Sequence, residues 1–151
     1  MATVKETIVL NITAEKVWPF FFDIDKIYKW RTDIHKFEWF DGIPQKGLRF
    51  FIELEIKDKI RRFDCIITNF KMNRFLAFEG SSVGFAKLTS VWEIVPEGNG
   101  CKFTITETLE DRLHSKFFKF FFDKLFLQKM LLNTVKSSLD NLQCLVEGEG
   151  Q

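Results

Sequence analysis

Hydrophobic and polar positions change period twice along the 151-residue chain. The opening TVKETIVLNI is rich in β-branched residues and predicts a strand. AEKVWPFFF and DIDKIYKW then predict two short helical pieces, with Thr13 as a cap and Glu15 in the favourable first turn. Pro19 must sit near the first turn or end that helix early. From Ile34 onward the period shortens to two. IHKFEWF, LRFFIELEI, IRRFDCIITNF, RFLAFEG, FAKLTSVWEIV and CKFTITETLE predict six strands, separated by turn-forming stretches such as DGIPQKG, Asp58-Lys59 and PEGNG. Alternation sets Leu48, Phe50, Ile52, Leu54 and Ile56 against Arg49, Phe51, Glu53 and Glu55. Short connections of this kind make a mostly antiparallel meander.

The final period is helical, from about Ser115 to Val146. Stepped at about 100° per residue, Phe118, Phe121, Leu125, Leu132, Leu139 and Leu142 form one stripe, bordered by Val135 and Gln128. The partner large enough to receive that stripe is the sheet. Phe120, Leu127 and Met130 project from the sides and back. They either pack under the early helices and strand loops, or form an outer patch for a second copy, a membrane surface or a protein partner. Residues 147–151 read as a flexible tail after a single domain spanning 1–146.

Composition adds two restrictions. Nineteen Phe and four Trp against one Tyr supply apolar area with few polar handles, which suits a large core or an apolar cavity. The net charge of +1, with charges interspersed, argues against nucleic-acid binding. Cys65, Cys101 and Cys144 lie far apart without a CxxC pair, as expected of thiols in a reducing cytoplasm. The amino terminus lacks an apolar signal core, and no stretch approaches the roughly 20 apolar residues of a membrane span. Richness in Lys, Ile and Phe fits an AT-rich bacterial genome.

The element order, ITAEKVWPFFFDIDKIYKW after strand one, RFLAFEG before VWEIVPEGNGCKFTITETLE, and the long last helix together resemble the START/Bet v 1-like (SRPBCC) superfamily. The chain is most similar to its polyketide cyclase/dehydrase and lipid-transport group. Val17-Trp18, Trp30 and Trp92-Glu93 are the best matches. The resemblance implies an α+β helix-grip fold: a curved seven-stranded antiparallel sheet wraps a long C-terminal helix, with two short helices after strand 1. It also implies an apolar cavity between sheet and helix. The alternating face would supply Trp39, Phe50, Ile52, Leu54, Phe63, Ile67, Phe78, Ser90, Trp92, Phe103 and Ile105 to that cavity, and the helix Phe118, Phe121 and Leu125. Each of these is equally at home in a plain core.

Polar residues on the apolar face carry the candidate chemistry. Glu107 shares the face of Phe103, Ile105 and Leu109. Buried alone, it would have a raised pKa suited to general acid–base work or to a ligand hydrogen bond; solvated or paired with Arg or Lys, it would not. Ser90 is either a ligand contact or a small spacer. His35 shares the parity of Phe37 and Trp39 and so either faces inward as a proton shuttle or sits at the surface. His35 and His114 alone do not make a zinc site, no cofactor motif is present, and no nucleophile has an adjacent base.

Three functions follow. The first is binding or transport of a small hydrophobic molecule such as a lipid, polyketide-like aromatic or isoprenoid. The second is a polyketide cyclase/dehydratase-like enzyme using Glu107 or His35. The third is an interaction module using the outer patch of the last helix.

Overall fold

The structure, a computed structural model, describes residues 1–39, 43–56, 58–83, 86–111 and 117–149, and within these all side chains except those of 39, 111, 117–124 and 149. Strand β1 (Ala2–Leu10) leads into helix α1 (Ala14–Val17), a 3-10 turn (Trp18–Phe21) and α2 (Ile24–Trp30). Strands β2 (Ile34–Trp39), β3 (Arg49–Ile56), β4 (Lys59–Lys71), β5 (Phe75–Ser82), β6 (Ala86–Glu97) and β7 (Gly100–Asp111) follow, and α3 (Phe117–Glu149) closes the chain. This is the helix-grip order expected from the sequence.

Pro19 explains the broken first helix. It occupies the first turn of the 3-10 segment, where a missing N–H is harmless, and α1 ends just before it. Thr13 makes no side-chain cap, contrary to expectation, whereas Asp23 caps α2 by accepting a hydrogen bond from the Asp25 N–H at 3.0 Å. The seven strands form one sheet in the order β1-β7-β6-β5-β4-β3-β2, every pair antiparallel. Bulges between Ile34 and Lys36 and between Ile67 and Asn69 add local bend and twist. Asp58 takes the left-handed conformation (φ 61°) that closes the β3–β4 hairpin.

The concave face and α3 share one apolar core, from Val4 and Leu10 to Leu142 and Val146. Phe51 belongs to the opposite face and is still buried, because Arg62 stacks on its ring at 4.0 Å.

The helix is rotated from its expected position. Leu127, Leu131, Val135, Leu139, Leu142 and Val146 are buried, while Leu125 is 62% exposed and Leu132 only half-buried. Leu125 is therefore not a cavity residue. The aromatic cluster at the start of the helix pulled the stripe to one side; what α3 rests on is β1 and α2. Leu127, proposed for an outer patch, is core, and Met130 packs against that core. The third member, Phe120, lies outside the described side chains.

Polar residues of α3 also seal the free edge of β1. The Gln128 amide accepts from the Thr3 N–H at 3.1 Å and donates to the Thr3 carbonyl at 2.7 Å, standing in for a neighbouring strand. Further along, Gln143 donates to the Val9 carbonyl at 3.4 Å. The helix runs past Val146 to Glu149, and Asn11 donates to Glu147 there at 3.4 Å.

Candidate functional site

The interior beside α2 is filled by rings. Phe21 stacks on Phe103 (centroids 4.9 Å apart) and meets Trp92 edge-on at 5.2 Å. Trp92 touches Trp30 at 5.4 Å and Phe78 at 5.9 Å; Phe78 meets Phe50 at 5.2 Å, and Phe50 meets Phe37 at 5.5 Å. These contacts leave a void of about 20 Å³, lined by Phe21, Ile27, Arg31, Ile34, Phe37, Phe50, Ile52, Leu76, Phe78, Leu88 and Trp92. That is roughly the room of one water molecule. Ligand pockets run to about 300–1,000 Å³.

Arg31 is the charged group in this aromatic wall. It follows α2 directly and is 3% exposed. Its Nε and Nη2 donate to Asp33 Oδ1 and Oδ2, each at 3.0 Å, and its Nη1 donates to Glu107 Oε1 at 2.6 Å. The guanidinium lies about as far from the Trp30 ring (5.9 Å) as from Trp92 (6.0 Å). Burial works against its charge, but the carboxylates of Asp33 and Glu107 outweigh it and hold the pKa above the ordinary arginine value. The chain continues through Ser90, which donates to Glu107 Oε1 at 3.4 Å and accepts from Trp92 Nε1 at 2.8 Å.

The short segment after α2 separates two spaces. Arg31 and Ile34 line the inner void. Thr32 and Asp33 line an outer groove of about 480 Å³, completed by Glu55, Asp58, Phe126, Met130, Asn133, Thr134 and Ser137. Segment 31–34 is anchored by the Ile34 N–H to the Arg31 carbonyl (3.1 Å) and by the Glu55 N–H to the Asp33 carbonyl (3.0 Å).

Several sequence-predicted residues meet here. Phe50, Ile52, Phe78 and Trp92 line the void, and Ser90 and Glu107 join its polar chain. Leu54, Phe63, Ile67, Phe103 and Ile105 are buried as expected but do not line this void. Trp39, Phe118 and Phe121 lie outside the described side chains, and His114 outside the described residues. Glu107 is paired with Arg31, so it is not the isolated buried acid that the general acid–base reading required.

His35 faces out, half-exposed and 3.3 Å from Glu55. The parity argument failed because the bulge at Ile34/Lys36 inserts His35 as an extra residue and lets Phe37 regain the inward position. Among the described residues, no three His, Cys, Asp or Glu side chains come together as a metal site. Sequence reasoning missed Arg31, Asp33 and Phe21. The available signal was the need of an inward Glu107 for a counter-charge, with Trp30-Arg31-Thr32-Asp33 carrying an arginine next to a tryptophan at a helix end.

Comparison with known proteins agrees with this fold. The fold matches the Zhui aromatase/cyclase of Streptomyces sp. R1128 with a TM-score of 0.79 at 12% identity, covering 99% of this chain and 95% of that one. It matches TTHA0849 of Thermus thermophilus with a TM-score of 0.79 at 19% identity, over 99% of both chains. A START superfamily protein from Mycobacterium smegmatis matches with a TM-score of 0.75 at 18% identity, over 98% of this chain and 99% of that one. No curated protein matches the chain. Across residues 1–147 the sequence fits the family described as polyketide cyclase / dehydrase and lipid transport, and the chain belongs to that family.

Proposed function

We propose that the protein binds a small, largely apolar molecule at the junction of the outer groove and the aromatic interior. One observation carries this reading: a buried Arg31–Glu107 ion pair stands in an aromatic wall, beside a groove of ligand size. Buried charges are costly and cluster at functional sites, and family membership favours an apolar ligand. The ligand body rests against Phe126 and Met130, and its polar end reaches segment 31–34. Each buried methylene contributes about 0.8 kcal/mol, so a few apolar groups suffice for useful affinity. Carriage of a lipid or polyketide-like compound in a reducing cytoplasm fits the three free thiols.

The test is fluorescence titration with the neutral dye N-phenylnaphthylamine. Thr134→Trp fills the groove from α3 and should weaken uptake about tenfold or more, equivalent to some 1.4 kcal/mol. Undiminished uptake by a folded variant would move the ligand out of the groove.

A further inference from the structure

We infer that the outer groove takes an amphiphile whose polar end is a cation, such as an amine on a ring or short chain, in preference to a neutral or anionic one with the same body. This names the ligand class of the proposed site and rests on that reading. Only groups that border the groove are involved. One wall is α3, which presents Phe126, Met130, Asn133, Thr134 and Ser137 and carries no charge there. Steps of three and four residues keep that set on one helix face. The opposite wall is formed by segment 31–34, the end of β3 and the β3–β4 turn, and it brings three carboxylates, Asp33, Glu55 and Asp58. Among the described residues, no Lys or Arg lines the space. The groove is thus an apolar and uncharged face set against an acidic one.

The acidic face keeps its charge. Asp33 accepts from Arg31 at both oxygens, each at 3.0 Å, but the same guanidinium also serves Glu107, so that buried cluster retains one net negative charge. Glu55 is half-exposed; its partner is His35 at 3.3 Å, which offsets the charge only when protonated. Asp58 is exposed and makes no ion pair among the described residues. The wall is therefore negative even with His35 protonated. A ligand whose body rests on Phe126 and Met130 meets this potential as attraction if it ends in an ammonium, as repulsion if it ends in a carboxylate, and as neither if it ends in a hydroxyl. Water reaches Glu55 and Asp58, so a single pair changes affinity by less than about fivefold. Attraction of one headgroup and repulsion of the other together separate the two charged ligands by about tenfold.

Calorimetric titration of the intact protein at neutral pH with naphthylmethylammonium, naphthylmethanol and naphthoate tests the inference, because the three share a ring and differ in headgroup. The ammonium should bind tightest, the alcohol about threefold weaker and naphthoate about tenfold weaker. Salt raised from about 0.01 M to about 1 M shortens the screening length from roughly 30 Å to 3 Å and should narrow the spread. Glu55→Gln with Asp58→Asn should narrow it at low salt, and asparagine tolerates the left-handed backbone of position 58 (φ 61°). Thr134→Trp should weaken the ammonium along with the others; a folded Thr134→Trp protein that binds the ammonium undiminished would place that cation outside the groove and overturn the inference. The alcohol or naphthoate binding as tightly as the ammonium would overturn the charge preference and leave the apolar groove standing, as would a ranking unmoved by salt or by the double variant. Failure of all three to bind would overturn the proposed function and this inference with it.

Discussion

The inner void and the outer groove are separated by the four residues Arg31–Ile34, yet they are opposite in character. The void is about 20 Å³ and lined by rings, aliphatic chains and Arg31; the groove is about 480 Å³ and mixes Phe126 and Met130 with carboxylates and hydroxyls. Both arise from the same grip of sheet on helix. The difference lies in how much side-chain volume each strand and helix position contributes. Where the interior receives Phe21, Phe37, Phe50, Phe78 and Trp92 together, it closes on itself. Where α3 presents Asn133, Thr134 and Ser137 to a hairpin ending at Asp58, space remains. Room for a ligand in this fold therefore follows from local volume, and apolar character alone does not provide it.

The comparison can be broken most forcefully from the inside. Phe21→Ala removes a ring that touches Trp92 and Phe103 and should cost about 3–5 kcal/mol, read by urea denaturation. It should also enlarge the void and increase uptake of N-phenylnaphthylamine. A loss under about 1 kcal/mol would mean that the interior collapses around the gap.

The partition itself comes next. Arg31→Met leaves Glu107 buried without its partner and should cost about 3–5 kcal/mol, whereas Arg31→Met with Glu107→Leu should recover most of that loss. Equal destabilisation by the single and double variants would show that the pair does more than neutralise itself.

A smaller effect is expected from Ile105→Trp. Ile105 is fully buried and does not border the void, so a larger ring there overpacks solid core and should cost about 1–3 kcal/mol without blocking the groove. Selective loss of dye uptake at unchanged stability would instead place free space beside β7.

The smallest effect is on alkaline stability. Burial, followed by the charge of Glu15, raises the Cys101 thiol from 9.0 to about 11; burial, then Asp64, also raises Cys65. A raised folded-state pKa means that the folded protein holds its proton after the unfolded chain has released it. Stability is full below pH 9.0 and declines as pH rises toward 11 for Cys101. Cys101→Ala should flatten that part of the decline in thermal melts; an unchanged slope would contradict it. Arg31 adds no pH dependence in the ordinary range, because its raised pKa keeps it charged throughout.

Much of this fold was legible from period alone. The shift from β-branched opening to helical pieces to alternation located every strand, because side chains in a half-buried sheet must alternate. The site was legible in part. Glu107, Ser90 and Trp92 stood out as members of the inward face, and the structure joins them in one chain. Arg31 was hidden because it sits in a short junction with no period of its own. His35 was misread because a bulge resets parity, and nothing in IHKFEWF marks it. The helix face turned because its partners are β1 and α2, a tertiary fact that an angular plot of one helix does not contain.

The central claim is that an apolar ligand occupies the junction of groove and interior. Native mass spectrometry of the purified protein, followed by solvent extraction and identification of whatever is released, tests it most directly. The account predicts a stoichiometric apolar adduct, or uptake of one equivalent of a neutral apolar compound by the stripped protein, lost in Thr134→Trp. A clean mass that stays unchanged in the presence of fatty alcohols, fatty acids and aromatic dyes would contradict it, and would mean that the phenylalanines serve only their own core.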